Sequence, residues 1–199
     1  IDTEALLLSF VSEPARRFFA REEGFDEAAT FSALLDSCQR LQTDKRIEVV
    51  LKYHPRNIPE DFVGLQNSAV SDRVRVHHMQ NEIEPCDLLL ASDLVVGMIS
   101  ILLVDSVLLG VPTLSAQLGG FNHGRCIPEK YGAISVARKT AELDCAVGSL
   151  LMSKEFRERY LLKQAKFALG NAQLELESAR LEHDEAANDV AAKKILASE

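Results

Sequence analysis

The sequence holds no hydrophobic run long enough to span a bilayer. Its most apolar passage, "DLVVGMISILLVDSVLLGVPTLSAQ", is fenced by Asp93 and Asp105 to the eleven residues from Leu94 to Val104, whereas a crossing helix needs about 20. Cysteines are few: Cys38, Cys86, Cys126 and Cys145 lie far apart with no C-x-x-C pair. Neither a zinc site nor a dense disulfide framework is indicated, and reduced, mostly buried thiols are expected. Compact basic groups are limited to pairs such as Arg16 with Arg17 and Lys193 with Lys194, against a net charge of -8. Phosphate backbones need clustered cations, so no nucleic-acid partner is expected. The opening "IDTEALLLSF" has no basic leader and no small-residue cleavage site, which predicts a cytoplasmic location. Also missing are a G-x-G-x-x-G fingerprint, a G-x-x-x-x-G-K-[ST] loop and a G-x-S-x-G elbow. Dinucleotide oxidoreduction, nucleotide hydrolysis and esterase chemistry thereby lose their usual supports. The pair His77 and His78, and His123 in "FNHGR", match no metal-ligand spacing, so strand-end or surface histidines are expected, with no metal and no cofactor.

What is present suits a soluble globular domain: 199 residues, 47% hydrophobic and 26% charged, enough chain for one sizeable core. "ALLLSFVS" (Ala5 to Ser12) reads as a strand buried on both faces. From Asp26 to Leu41, residues Phe31, Leu34, Leu35, Cys38 and Leu41 fall at helical spacing behind Asp26 as N-cap. "RIEVVLKYHP" (Arg46 to Pro55) and "RVRVHH" (Arg73 to His78) return to strands. "NEIEPCDLLLAS" (Asn81 to Ser92) reads as a short helix with Pro85 in its first turn. Then "DLVVG" is a strand, "ILLVDSVLLG" a helix stopped at Gly110, and "VPTLSAQ" a strand. "GAISVA" (Gly132 to Ala137) adds an edge strand, and Thr140 to Ser153 a further helix. The proline-free, Ala- and Glu-rich stretch from Lys154 to Glu199 should be helical, with breaks at Gly170 or Glu182.

Alternating strands and helices predict an α/β fold: a Rossmann-like three-layer domain over residues 1–199, with a mainly parallel central sheet and a helical C-terminal segment 154–199. In such sheets ligands bind beyond the carboxyl ends of the strands. The loops to inspect are "SEPAR", "KYHPR", "GMIS" and "AQLGGFNHGR". In "GMIS", Gly97 would permit close backbone approach and Ser100 would cap the following helix, whose amides attract phosphate. A tight turn with an ordinary N-cap would use the same two residues. Lys52, His54 and Arg56 alternate at a strand end, so three cations on one side would suit a diphosphate or a carboxylate. An exposed edge with a turn-forming proline is the plain alternative. Asp105 lies inside an apolar helix one turn past Ser100, where a carboxylate needs either a partner or a cleft.

"VLKYHPR", followed by "CDLLLASDLVVGMISILLVDSVLLGVPTLSAQLGG", resembles the C-terminal, nucleotide-sugar-binding half of GT-B glycosyltransferases and the related UDP-N-acetylglucosamine 2-epimerases. There, K-x-H-P precedes A-D-x-x-x-G-x-[ST]-S-x-x-x-x-E-A-x-x-L-G-x-P. "LSFVSEPARR" is similar to that half's first strand and phosphate-facing loop, and His183 to Ser198 to its closing helix. Two positions depart from the pattern: Ile99 stands where Ser or Thr is usual, and Asp105 where Glu is.

The resemblance implies that Gly97 to Ser100 face donor phosphates, that Asp105 takes ribose hydroxyls and that His54 lies by the donor, with Ser12 and Glu13 as further donor-side residues. It implies a nucleotide-sugar ligand and a second, N-terminal half, in the same protein or in a partner chain, since the reaction of such enzymes falls between two halves. Without that half the chain should bind and not turn over. A 2-epimerase-like or CDP-glycerol-transferase-like domain shares the same half, and an α/β interaction module presenting the helices of Lys154 to Glu199 is the non-enzymatic alternative.

Overall fold

Strand β1 (Leu6–Val11) is buried at all six positions, and the rest of the domain is built around it. The computed structural model describes residues 4–18, 20–62 and 71–173. In chain order these hold β1, the short helices α1 (Ala15–Phe18) and α2 (Ala20–Glu23), α3 (Glu27–Arg40), β2 (Ile47–Lys52), a single 3₁₀ turn (Pro59–Phe62) and β3 (Val74–Met79). There follow α4 (Pro85–Ala91), β4 (Leu94–Gly97), α5 (Leu102–Leu108), β5 (Thr113–Ala116), α6 (Ile127–Lys130), β6 (Ser135–Ala137) and α7 (Thr140–Met152). A last helix, α8, covers 154–173.

The six strands form one sheet in the order β3-β2-β1-β4-β5-β6, and every neighbouring pair is parallel. This is the Rossmann-like three-layer arrangement expected from the alternation of elements. Because side chains alternate across a strand, β1 serves both layers. Phe10 packs on Phe31 of α3 with ring centroids 5.2 Å apart, on the face where α3 meets α7. On the opposite face Leu7 joins Val50 and Leu88 of α4, and the Ser9 hydroxyl meets that of Ser92 at 2.7 Å. Phe10, Phe31 and Phe62 are all fully buried, each stabilising the core by roughly 1.5–3 kcal/mol relative to exposure.

Local signals act as their chemistry dictates. Asp26 accepts the Ala29 amide at 2.7 Å to cap α3, and Pro85 opens α4, where its missing N–H has no helical partner to lose. Gly110 ends α5 at φ +73, a conformation that strains any residue with a Cβ.

Two expectations are corrected. Cys86 and Cys145 are exposed while Cys38 and Cys126 are buried, because the first two fall on outward faces of their helices. α8 runs through Gly170 without a break; one glycine costs a helix only about 1 kcal/mol. The proposed break at Glu182 and the closing helix at His183 to Ser198 lie outside the described residues.

Candidate functional site

β1 sits where the strand order reverses, between β2 and β4, and the chain leaves these strands in opposite directions, opening a crevice at their carboxyl ends. A cleft of about 360 Å³ lies there. Ser12 follows β1; Lys52, Tyr53, His54 and Pro55 end β2; Asn81, Ile83, Glu84 and Pro85 bridge β3 to α4; Ser100, Ile101 and Leu102 start α5. Of the residues singled out from sequence, the cleft thus gathers Ser12, Lys52, His54 and Ser100. Gly97, Glu13, Arg56 and Asp105 are not among its lining.

Lys52 is the best-defined charge. It is only 7% exposed and its Nζ donates to the Gln80 carbonyl. Among the described residues no carboxylate forms an ion pair with it. The Glu82 carboxylate, held below the usual range by its own amide, those of Gln80 and Asn81 and the Lys52 charge, is spent on the Gln80 and Asn81 amides. A buried ammonium with one neutral acceptor keeps two donors for a ligand in the cleft.

His54 supplies a second donor. Its Nδ1 accepts the Arg56 amide at 3.0 Å, so the neutral ring carries its proton on Nε2. Burial first, then the charges of Arg56 and Lys52, hold its pKa below the ordinary value. Asn57, a residue that the sequence reading did not single out, locks this corner. Its Oδ1 accepts from the Ser12 hydroxyl at 2.9 Å and the His54 amide at 3.0 Å, and its Nδ2 donates to Asp61 at 3.0 Å. The Ser12 hydroxyl proton is therefore engaged, leaving that oxygen to face the cleft as an acceptor.

Ser100 behaves differently from a simple cap. The N-cap of α5 is Ile101, and Ser100 Oγ accepts the Leu102 amide only at 3.4 Å. Its hydroxyl proton, and the amides of Ser100 and Ile101, have no hydrogen-bond partner among the described residues. Beside them the Ile99 amide donates to Glu13 Oε2 at 3.1 Å. Glu13 accordingly lies behind the turn, 7% exposed; burial pushes its carboxyl up to about 7, against the lowering effect of the Ile99 amide and with a further rise from Glu27.

Gly97 serves the packing of β1 against β4. A Cβ there would meet Val11 Cγ2 at 2.7 Å and the Val11 carbonyl at 3.0 Å, so glycine lets β1 and β4 close up. Arg56 departs from the predicted row of cations because β2 ends at Lys52 and Pro55 turns the chain. Its side chain is exposed and its carbonyl accepts from Arg17. Asp105, in the first turn of α5, is half-buried. The stretch Asn81 to Glu84, read from sequence as part of the helix, is in fact a bend that ends in extended backbone at Glu84, and the helix starts only at Pro85. A proline disfavours the α conformation at the residue before it, and that signal was available in "NEIEP". His77 pairs with Glu48 at 2.6 Å and His78 Nδ1 meets the Tyr53 hydroxyl at 2.8 Å, while no metal-holding group occurs among the described residues.

Comparison with known proteins bears on the fold. No protein-family model matches the chain, and no curated protein does either. Solved structures match in fold. UDP-GlcNAc 2-epimerase from Neisseria meningitidis, bound to UDP-GlcNAc, superposes with a TM-score of 0.54 at 14% identity over 82% of this chain and 40% of that one. The spinosyn rhamnosyltransferase SpnG gives 0.56 at 15% identity over 85% and 42%. The wall teichoic acid polymerase TagF, soaked with CDPG, gives 0.51 at 12% identity over 84% and 36%. The domain has the fold of one Rossmann-like half of the GT-B glycosyltransferase and epimerase architecture. It spans about two-fifths of the length of such chains. Among the described residues no helix is long and apolar enough to cross a membrane.

Proposed function

We propose that this chain is a nucleotide-sugar donor-binding domain of a GT-B-like glycosyltransferase, working with a second half that carries the acceptor and the general base. One observation carries the reading: Lys52, buried and without a carboxylate partner, lines a cleft together with His54 and Ser100. Those donors converge on a space large enough for a diphosphate and part of a nucleoside. As the glycosyl bond to the diphosphate breaks, negative charge grows on the leaving oxygens. The Lys52 ammonium, the His54 Nε2–H, the Ser100 hydroxyl and the amides of Ser100 and Ile101 would stabilise it. The apolar faces of Ile83 and Pro85, on the β3 side, suit the nucleoside end. Asp105 and Arg56 have no part in this cradle. The same cleft could serve an epimerase-like or CDP-glycerol-transferase-like protein, which differs in donor base.

Calorimetric titration with UDP, CMP and CDP tests the reading. At least one is expected to bind, and Lys52→Met to weaken it about tenfold or more, the scale of one charge-assisted contact, with unchanged circular dichroism. Absence of heat with all three at about millimolar concentration, far above the range of specific donor sites, would remove it.

A further inference from the structure

We propose that Glu13 is the positioning residue of this anion cradle, holding the turn before α5 through the Ile99 amide, and that ligand binding takes up a proton at its carboxyl group. The inference rests on the nucleotide-sugar reading of the cleft.

The geometry comes from two neighbouring strand ends. Ser12 and Ser100 both line the cleft, and Glu13 and Ile99, the residues next to them, are joined at 3.1 Å behind it. This is a link across 86 residues of sequence between the β1 and β4 loops. It fixes the turn whose next two residues, Ser100 and Ile101, line the cleft with amides that have no partner among the described residues. The carboxylate that makes the link is buried in poor company. Glu27, the first residue of α3, is fully buried behind it, with Oε2 accepting the Arg16 amide at 2.8 Å and Oε1 without a hydrogen-bond partner among the described residues. The Cys126 thiol ahead of α6 is buried too and pushed up to about 12, chiefly by burial, with Glu129 and Glu13 adding to the rise. The Arg16 guanidinium on α1 is exposed, and Lys52 and His54 face the cleft. No cation forms an ion pair with Glu13 among the described residues.

An anionic Glu13 thus puts negative charge directly behind an anion site, whereas the protonated acid keeps a carbonyl oxygen for the Ile99 amide and removes the repulsion. Burial pushes its carboxyl up to about 7, so a further rise on ligand binding favours the protonated acid near neutral pH. A bound diphosphate raises the affinity for that proton further, and the reciprocal effect makes binding stronger as pH falls.

The test is calorimetry on the wild-type chain and Glu13→Gln with UDP-N-acetylglucosamine and CDP-glycerol. Neither has a phosphate that titrates between about pH 6.5 and pH 8.5, and burial with the charges of Arg56 and Lys52 holds the His54 pKa below its ordinary value. The wild type should lose about tenfold in affinity across this pH range, the scale of one buried like charge, and should take up a proton in buffers of differing ionisation enthalpy. Glu13→Gln mimics the protonated acid; it should be pH-independent and bind more tightly than wild type at the alkaline end. A variant that binds more weakly there, or retains the pH dependence, overturns the proposal. If neither nucleotide binds the wild type, the donor reading fails separately. The tether is then decided by NMR on the free chain, where the Ile99 amide should titrate with a midpoint near 7 and lose that titration in Glu13→Gln. An Ile99 amide that titrates in the ordinary carboxylate range, or not at all, refutes it.

Discussion

Two buried carboxylates give the molecule an unusual acid–base signature. Glu13 is raised to about 7 and Glu27 is also raised, both mainly by burial. A carboxyl whose folded pKa exceeds its unfolded value binds protons more tightly when folded. Its stabilising effect is therefore complete below the unfolded value of 4.5 and lost as pH rises through about 7. Urea unfolding is expected to show stability falling between about pH 5 and pH 7.5, with Glu13 accounting for on the order of 3 kcal/mol. Glu13→Gln should flatten most of that slope. A stability that climbs through this range would show that the acids are not buried as described. Sequence alone could name Lys52, His54 and Ser100, because each lies at a strand end or opens a helix where parallel sheets present their loops, whereas Ser12 comes from the family resemblance. It could not place Glu13 behind the turn or Asn57 at the corner: those roles depend on contacts with residues 86 and 45 positions away. Nor could it see that Pro55 would turn Arg56 out of the row, since the alternation rule holds only while the strand lasts.

Elements were more legible than contacts. The predicted strands and long helices form because apolar runs, caps and prolines agree locally. The missed pieces are α1, α2, the 3₁₀ turn at Pro59–Phe62 and α6, each of four residues, too short for a period to declare itself. Gly97 shows how an element-level constraint hides behind a loop-like residue. Its backbone is not in the left-handed region, so the expected penalty for Gly97→Ala is steric alone. The new methyl meets a backbone carbonyl that cannot swing aside, and the β1–β4 pairing, Val11 opposite Gly97, must spread. Thermal and chemical unfolding should show a loss of about 1–3 kcal/mol. Asp26→Ala, by contrast, removes only the α3 cap and should cost about 1 kcal/mol, leaving nucleotide binding unchanged. A neutral Gly97→Ala would mean that β1 and β4 do not approach as closely as this.

The edge of the sheet that carries the cleft also carries apolar side chains without cover. Phe18, Ile58, Ile101, Phe121 and Ile127 are between 41% and 62% exposed, and all follow strand carboxyl ends: β1, β2, β4 and β5. Single exposed apolar residues are ordinary, but here five share one edge with the ligand cleft, and Ile101 is itself part of the cleft wall. Under the two-half reading this edge is what a second Rossmann-like half closes over, excluding water from the leaving diphosphate and so strengthening Lys52 and His54 as charge stabilisers. Two outcomes follow. The chain by itself should bind nucleotide yet cleave a nucleotide sugar no faster than buffer does. When it is joined to a second half, hydroxyl-radical footprinting should show Phe18, Ile101 and Phe121 protected, while Leu162 and Leu169 on α8, each 65% exposed, stay labelled. Protection of the α8 leucines instead, with the cleft edge still reactive, would favour an interaction module that docks through its last helices.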